Sequence, residues 1–448
     1  WRELHFPSRG GEGLDERLSR CRRMVVLEEF FFLQLGLLLK RGGDAARSGI
    51  AFRPTFRLIK PLLASLPFEL TAAQRRVLGE IRRDMEAPRP MHRLLQGDVG
   101  SGKTLVALNA ALMAVESGYQ AAIMAPTEVL AEQHYANLSR LTGGLPVTVE
   151  LLTGSITGER RERVAGALAL GGVDIVVGTH ALIQEDVAFA RLGLVVVDEQ
   201  HRFGVAQRAE LAKKGREPDL LVMTATPIPR SLSMTVYGDL DLSVIDQMPP
   251  GRTPVATRLV RGARRDEVHA FVRDEVAKGR QAYVVYPLVE ESEKMELRSA
   301  VESAESFASH VFPDLKVGLL HGRMRGEQKE AALADFYEGR TQVLVCTTVI
   351  EVGIDVPNAS VMVVEHAERF GLSQLHQLRG RVGRGQHRSY CLLLAEGRLS
   401  EEAFRRLKIM EKTEDGFAPR AVFCIRRRRQ PGHMLVAVVS QDETRDLH

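Results

Sequence analysis

The sequence LLQGDVGSGKT runs from Leu94 to Thr104, and its segment from Gly97 onward matches the pattern GxxxxGK[ST] in full. The run Leu105 to Val115 that follows has the composition of a helix. A glycine-rich turn between a strand and a helix directs backbone N–H groups toward phosphate oxygens at the helix N-terminus. The stretch therefore predicts an α/β fold with a phosphate-binding loop.

The residues of this loop have separate expected roles. In a GxxxxGK[ST] loop the lysine reaches the β- and γ-phosphates of a nucleoside triphosphate, and the final hydroxyl holds Mg²⁺. Lys103 and Thr104 are therefore the predicted phosphate and Mg²⁺ ligands. The other loop residues expected to contact the nucleotide are Gly97, Gly100, Ser101 and Gly102. Taken alone, the motif also fits a plain glycine-rich turn.

The composition is that of an ordinary soluble globular protein. The chain has 448 residues, of which 44% are hydrophobic, so it can bury more than one core and form two or three domains. The formal net charge is only +4, which excludes a global positive field as the basis of polyanion binding. Such binding needs local clusters, for example Arg379, Arg381, Arg384 and Arg388.

The cysteines and the apolar stretches further limit the class of protein to which the chain can belong. The four cysteines lie far apart without a CxxC pair, which disfavours a disulfide framework or a zinc site and fits a reducing compartment. Cys346 and Cys391 sit in strand-like runs and are expected to be buried and inert. The longest apolar stretch, Phe30 to Leu39, is too short to span a bilayer and predicts a buried helix. We find no signal peptide and expect a cytoplasmic protein without a membrane partner; a chain that begins at Trp1 is expected to be a fragment.

Strand-like runs alternate with helical stretches twice along the chain, the pattern of parallel sheets covered by helices on both faces. We predict two parallel-sheet lobes in tandem behind an N-terminal helical linker, with Met248 to Gly251 as the hinge and no internal sequence repeat. The predicted bounds are 1–64 for the linker, 65–245 and 246–417 for the lobes, and 418–448 for a basic tail. The strand-like runs are 121–125, 147–152, 173–177, 194–197, 220–223, 282–286, 317–320, 343–346, 361–364 and 390–394.

An acidic pair follows one strand of the first lobe. The apolar run Leu194 to Val197 leads directly into Asp198 and Glu199, and open α/β sheets bind ligands at the carboxyl ends of their strands. We expect Asp198 to hold Mg²⁺ and Glu199 to be the general base that orients and deprotonates the attacking water. Acidic residues at a solvent-facing turn are the alternative. His201 has no partners at ligand spacing, so we expect it to couple the site to other elements.

The second lobe carries two arginines in a glycine-containing segment. Arg381 and Arg384 are three residues apart, a spacing that predicts one shared helical face. If their guanidinium groups reach the nucleotide of the first lobe, they act as arginine fingers and make hydrolysis depend on lobe closure. The alternatives are a basic patch on nucleic-acid phosphates and a solvated face. The cleft between two lobes favours the fingers.

Hydroxyl side chains at the carboxyl ends of other strands complete the candidate set. Such groups suit sugar–phosphate contacts, which position a duplex without reading its sequence. Thr224 and Thr226 are also expected to relay the nucleotide state to a bound nucleic acid. The residues predicted to couple or to contact nucleic acid are Thr127, Thr179, His201, Thr224, Thr226, Thr347 and Gln377. Gly353 and Asp355 are predicted to contact the nucleotide.

The order of these motifs resembles that of superfamily 2 helicases. Their individual residues are similar to those of the motifs in the RecG family of bacterial ATP-dependent DNA helicases. The resemblance spans about 65 to 417. The segments that carry it are FELTAAQ (68–74), LLQGDVGSGKT (94–104), DEQHRFGVAQR (198–208), TATPIPR (224–230), YPLVEESE (286–293), LLHGRM (319–324), TTVIEVGIDVPNA (347–359) and EHAERFGLSQLHQLRGRVGRG (365–385).

The resemblance implies both a fold and a function. It implies two RecA-like lobes, ATP and Mg²⁺ as cofactors, and Gln74 as the residue that reads adenine. It also implies a monomeric bacterial enzyme that translocates on branched or double-stranded DNA. Family members reverse stalled replication forks and migrate Holliday junctions in recombination and repair.

Two departures from the family pattern lead to further expectations. We expect no oligonucleotide-binding β-barrel wedge before Trp1 and, after Phe417, a basic tail in place of the family's RGPG-like translocation hairpin. We therefore expect a chain that hydrolyses ATP weakly with DNA present and does not regress a fork. The alternatives are a translocase similar to the transcription-repair coupling factor and a nucleotide-dependent DNA-binding module without motor activity.

Overall fold

A computed structural model describes residues 14–45, 48–198, 210–225, 240–247, 255–287, 304–347, 356–383, 385, 387–397 and 399–412. Several residues singled out from the sequence lie outside these ranges. They are Glu199, His201, Thr226, Gly353, Asp355, Arg384, the hinge at 248–251 and the tail at 418–448.

The first lobe is built on a seven-stranded sheet whose strand pairs are all parallel. Its strands lie in the order β3-β4-β2-β5-β6-β1-β7. In chain order they are β1 His92–Gly97, β2 Gln120–Met124, β3 Val149–Leu152, β4 Ile175–Gly178, β5 Leu192–Val197, β6 Asp219–Thr224 and β7 Asp241–Ile245. The central strands β2 and β5 are buried along their whole length, as expected for a parallel sheet covered on both faces.

The second lobe is built on a six-stranded sheet, also parallel throughout. Its order is β10-β11-β9-β12-β13-β8. The strands are β8 Val255–Arg261, β9 Gln281–Tyr286, β10 Val317–Leu320, β11 Val343–Thr347, β12 Ala359–Val364 and β13 Ser389–Ala395. The two parallel sheets confirm the predicted fold class, and every strand-like run read from the sequence overlaps a strand.

Helices connect the strands and cover the sheets. They are α1 Leu14–Ala45, α2 Ile59–Ser65, α3 Ala72–Glu86, α4 Lys103–Glu116, α5 Glu128–Thr142, α6 Gly158–Ala169, α7 Arg265–Ala277, α8 Gly326–Tyr337, α9 Leu372–Arg379 and α10 Glu401–Lys412. Helix α4 is buried from Leu105 to Ala114 without an exposed face, so the phosphate-binding loop is attached to the innermost helix of the first lobe.

The two sheets repeat one strand order. When β1 to β6 are matched with β8 to β13, both sheets read third, fourth, second, fifth, sixth, first, and β7 is added beside β1. A matching sequence accompanies the third strand of each set: LLTGSITGERRE (151–162) and LLHGRMRGEQKE (319–330). The expectation of no internal repeat is therefore wrong at these elements.

Part of the predicted linker packs against the first lobe. Phe52 and Leu62 belong to its hydrophobic core. The carboxylate of Glu116, the last residue of α4, accepts hydrogen bonds from the backbone N–H groups of Phe56, Leu58 (2.6 Å) and Ile59 (3.2 Å). The chain segment before α3 is thus fastened to the far end of the phosphate-loop helix.

Helix α1 contains the apolar stretch Phe30 to Leu39, as predicted, but the expected burial is wrong. The exposed fractions are 58% for Phe31, 61% for Phe32 and 70% for Leu39. No described element covers these side chains. None of the helices in the described ranges is long and apolar enough to cross a membrane.

The thiols of Cys346 in β11 and Cys391 in β13 are buried, as the sequence predicts. Burial raises the pKa of Cys391 to about 12 and raises the pKa of Cys346 well above its ordinary value. Both groups are therefore neutral thiols at physiological pH.

Candidate nucleotide-binding site

The phosphate-binding loop joins the end of β1 at Gly97 to the start of α4 at Lys103. Gly100 and Gly102 have φ angles of 82° and 90°, in the left-handed region that favours glycine. Gly102 is also the N-cap of α4, and a Cβ atom there would collide with Nε2 of Gln74. Glycine at this position is therefore required both by the backbone conformation and by the neighbouring side chain.

Two further loop residues are fitted closely to each other. A Cβ atom at Gly97 would lie 2.5 Å from Oγ of Ser101. Ser101 is fully buried, and its hydroxyl has no hydrogen-bond partner among the residues that the structure describes. A buried hydroxyl without a partner costs free energy, so this position suits a ligand with a hydrogen-bonding oxygen.

The ammonium group of Lys103 lies against the loop itself. Its Nζ donates hydrogen bonds to the carbonyl oxygens of Gly97 (2.9 Å) and Asp98 (3.1 Å). The positive charge is thus held at the mouth of the loop, where the sequence places the β- and γ-phosphates.

Gln74 connects helix α3 to the loop. It is 1% exposed, and with Thr71 it forms a capping box at the start of α3. Its Oε1 accepts a hydrogen bond from the backbone of Thr71 (2.9 Å), and its Nε2 donates one to the carbonyl oxygen of Ser101 (2.8 Å). The side chain predicted to read adenine is thereby bonded to the phosphate-binding loop; adenine recognition itself stays a prediction.

Asp198 follows β5 at the carboxyl edge of the same sheet, the edge to which the phosphate-binding loop also belongs. Its backbone N–H donates to the carbonyl oxygen of Met124 (2.9 Å). Its Oδ2 lies 2.8 Å from Nε2 of His134 on α5, and both side chains are nearly buried. The hydroxyl of Thr104, on the first turn of α4, is half-buried at this edge.

His134 is not among the residues predicted from the sequence. The signal for it was a polar residue in register with the apolar face of a helix, since Leu130, Ala131 and Leu138 are the other buried residues around it on α5. Such a histidine is most often a core residue, and only its contact with Asp198 distinguishes it.

Those predicted coupling threonines that the structure describes lie at carboxyl ends of strands or just beyond them. Thr127 caps α5 by accepting a hydrogen bond from the backbone of Leu130 (3.3 Å). Thr224 ends β6 and Thr347 ends β11, and Thr179 follows β4. The last three are buried, so their side chains offer little surface to a nucleic acid in this conformation.

The arginine segment of the second lobe differs from the prediction. Helix α9 ends at Arg379, and Arg381 lies in the turn that follows, where Gly383 has a φ of 82°. Arg381 therefore does not lie on the helix, so the expected helical face is wrong for this residue, and Arg384 lies outside the described residues. Arg381 and Gln377 are both buried.

The same turn contacts the phosphate-binding loop of the first lobe. A Cβ atom on Gly380 would lie 3.1 Å from Cβ of Val99, which belongs to the loop. Val129 at the start of α5 packs against the core of the second lobe and adds a second contact between the lobes. The residue next to Arg381 is thus in contact with the predicted nucleotide site.

Comparison with known proteins agrees with this arrangement. A family model of the DEAD/DEAH box helicases matches residues 71–235, and the helicase conserved C-terminal domain matches residues 264–386. The ATP-dependent DNA helicase RecG of Synechocystis sp. is 53% identical over 416 residues, which are 93% of this chain and 49% of that protein. The chain belongs to the RecG family. RecG of Thermotoga maritima is 51% identical over 414 residues, 92% of this chain and 52% of that protein.

A solved structure agrees with the family assignment. The structure of RecG bound to a three-way DNA junction superimposes with a TM-score of 0.82 and 47% identity, over 94% of this chain and 56% of that one. The present chain thus spans about half the length of the relatives it matches. Dbp5 of S. cerevisiae, at 16% identity and a TM-score of 0.56, shares the fold.

Proposed function

We propose that the protein is an ATP-dependent DNA motor that acts on branched DNA. The observation that carries the proposal is the contact of Gly380 in the second lobe with Val99 in the phosphate-binding loop. A nucleotide bound to this loop lies next to both lobes, so ATP binding and hydrolysis change how the lobes fit together. Such a change of fit converts a chemical step into movement along a bound polymer.

In this proposal the first lobe binds the nucleotide. The glycines of the loop let the backbone approach the phosphates, Lys103 neutralises their charge, and Gln74 recognises adenine. Glu199 orients and deprotonates the attacking water. Arg381 and Arg384 stabilise the charge of the transition state from the second lobe. Gly353 and Asp355 contact the nucleotide.

The oxygen ligands expected for Mg²⁺ are the carboxylate of Asp198 and the hydroxyl of Thr104. Carboxylate, hydroxyl and phosphate oxygens are the hard ligands that Mg²⁺ prefers, and it commonly uses one or two protein ligands with water and phosphate for the rest. No group of three or more His, Cys, Asp and Glu residues that could hold a metal ion lies in the described part of the chain. When bound, Mg²⁺ supplies positive charge beside the phosphate oxygens.

DNA is expected to contact the carboxyl edges of the sheets. This proposal includes contact or coupling roles for Thr127, Thr179, Thr347 and Gln377. It also includes a relay of the nucleotide state through Thr224, Thr226 and His201. It further includes the domain bounds 65–245 and 246–417, a monomeric state and a place in the bacterial cytoplasm. A relative bound to a three-way junction supports branch migration and fork reversal as the reactions to test first.

The test is ATP turnover of this chain with a three-way junction, a linear duplex of equal length, or no DNA. We expect the junction to give the highest turnover, and Lys103→Ala to reduce it at least on the order of a hundredfold, because the cation on the phosphates is lost. Lys213→Ala is the matched control, since that lysine is exposed and pairs only with Glu210 in the described structure. An ATP turnover that is the same with and without DNA would contradict the proposal.

Turnover together with obstacle displacement and DNA binding distinguishes the alternatives. Equal stimulation by linear and branched DNA, with displacement of a bound obstacle, would favour a translocase similar to the transcription-repair coupling factor. DNA binding that depends on nucleotide, without hydrolysis, would favour a binding module.

A further inference from the structure

Helix α5 buries a histidine on its apolar face. His134 is 8% exposed, and its neighbours Leu130, Ala131 and Leu138 pack into the core of the first lobe. An imidazole in such a place loses its hydrogen bonds to water and needs a protein partner instead. Its partner is Asp198, at a distance of 2.8 Å between Nε2 and Oδ2.

The direction of this hydrogen bond follows from the chemistry of the two groups. An ionised carboxylate can only accept hydrogen bonds, so Nε2 of His134 carries the hydrogen and donates it. Hydrogen bonds to a charged acceptor are among the stronger ones in proteins, and this one joins two side chains of which only 10% and 13% are exposed. The contact therefore limits the rotation of the Asp198 carboxylate.

We propose that His134 is a positioning residue that holds Asp198 in the orientation required to bind Mg²⁺ with the nucleotide. Carboxylates that bind metal ions are themselves commonly hydrogen-bonded, and loss of the supporting group typically weakens metal binding 10- to 100-fold. The inference rests on the proposed function, because it takes Asp198 to be the Mg²⁺ ligand. It adds a residue to the site that lies outside every motif read from the sequence.

Helix α5, which carries His134, begins directly after a predicted DNA contact. Thr127 is the N-cap of α5, and its carbonyl oxygen accepts a hydrogen bond from the backbone of Ala131 (3.0 Å). The residue predicted to contact DNA is thus joined to His134 through the first turns of one helix.

The experiment measures how Mg²⁺ affects nucleotide binding, independently of turnover. A fluorescent ADP analogue is titrated against the protein at increasing Mg²⁺, and also in EDTA. His134→Leu keeps an apolar side chain at the buried position and removes the donor, whereas His134→Gln retains a side-chain N–H donor. Asn137→Ala, at an exposed position of the same helix, is the control.

We expect His134→Leu to raise the Mg²⁺ concentration at half-saturation 10- to 100-fold, with unchanged binding in EDTA. His134→Gln should stay closer to the parent than His134→Leu does, because its amide N–H can still donate to the carboxylate. In an Asp198→Ala background, His134→Leu should have no further effect, because the two residues act as one unit.

The inference is overturned if His134→Leu has the Mg²⁺ midpoint of the parent, if His134→Gln is as impaired as His134→Leu, or if the effects add in the double variant. Those results differ from a failure of the proposed function. If the proposed function is wrong, the parent chain itself lacks Mg²⁺-dependent nucleotide binding and DNA-stimulated hydrolysis. That outcome would overturn both the proposed function and the role of His134.

Discussion

At the scale of single residues, the backbone conformation and the side-chain packing at Gly102 both favour glycine. Its φ of 90° is costly for any other residue, and its missing Cβ leaves space for the amide of Gln74. That amide in turn bonds the loop at Ser101. A change at one glycine is therefore expected to displace the loop and the start of α3 together.

We predict that Gly102→Ala lowers stability by about 1–3 kcal/mol and also weakens nucleotide binding. Gly279→Ala is the matched control, because Gly279 has a similar φ of 80° with open space around its Cβ position. It should lose about 1–2 kcal/mol from backbone strain alone and leave nucleotide affinity unchanged. Urea unfolding and nucleotide titration check both. Equal nucleotide affinity in the two variants would show that contact with Gln74 does not matter.

The buried thiols give a prediction on pH. Because the pKa of Cys391 is raised to about 12 in the folded protein, the unfolded chain loses its thiol proton first as the pH rises. The thiol therefore contributes stability that is complete below the ordinary cysteine pKa and is lost as pH rises from there toward 12. Cys346 acts in the same direction.

This is tested in a Cys21→Ser, Cys424→Ser variant, where only the two buried thiols remain. We expect a thiol reagent to react with them at pH 7 to 9 only after urea is added, and unfolding free energy to fall above about pH 9 more steeply than in a variant with Cys391→Ala. Rapid labelling of the native protein would contradict the assigned burial.

At the scale of elements, the sequence predicts strands well where they are buried on both faces. The central strands read as continuous apolar runs, since parallel sheets are covered on both sides. Strands β7 and β8 were not predicted, because both are edge strands with partly exposed residues and mixed polarity. Helix α1 was predicted as buried, since sequence shows its apolar character and not which element covers it.

One structural device recurs at equivalent strands of the two lobes. Gln120 begins β2 and Gln281 begins β9, and both are buried. Each donates from Nε2 to two carbonyl oxygens, one on the helix that leads into the adjacent strand and one just before that strand: Leu168 and Val173 in the first lobe, Phe336 and Thr341 in the second. A single amide thereby satisfies the carbonyl groups at a crossover in each lobe.

We predict that Gln281→Leu lowers the free energy of unfolding by about 2–4 kcal/mol, because two buried carbonyl groups lose their donor. Gln120→Leu should behave alike in the first lobe. Gln247→Leu is the control, since Gln247 is exposed and its side chain makes one hydrogen bond among the described residues, with the backbone of Ala73. Urea denaturation with a probe in each lobe measures the effect. A loss as small as in the control would mean that water replaces the amide.

At the scale of the whole molecule, the candidate site depends on contacts that sequence does not reveal. The phosphate-binding loop was predictable because its residues are consecutive, and Asp198 because it ends an apolar run. The contact of His134 with Asp198 bridges 64 residues, and that of Gly380 with Val99 joins two lobes. Both depend on how separate elements pack, which no local pattern records.

We predict that Arg381→Ala and Arg384→Ala each reduce ATP turnover by several orders of magnitude, on the order of 10³ or more, with ATP binding retained. Arg405→Ala is the control, because Arg405 is exposed on α10 and pairs with Glu401. If the two arginines contact DNA instead, basal hydrolysis stays unchanged while DNA affinity falls and its salt dependence becomes shallower. Turnover and DNA binding at several salt concentrations separate these results.

The two lobes share one strand order, yet their first strands end differently. After β1 comes the glycine-rich loop, whereas after β8 the chain continues as Gly262-Ala263-Arg264 into α7. Because one loop in this duplicated framework carries the phosphate-binding motif, we expect one nucleotide to bind per chain. In the proposed motor, each ATP hydrolysed would then correspond to a single opening and closing of the pair of lobes, and the unequal halves would give that cycle a direction along the DNA.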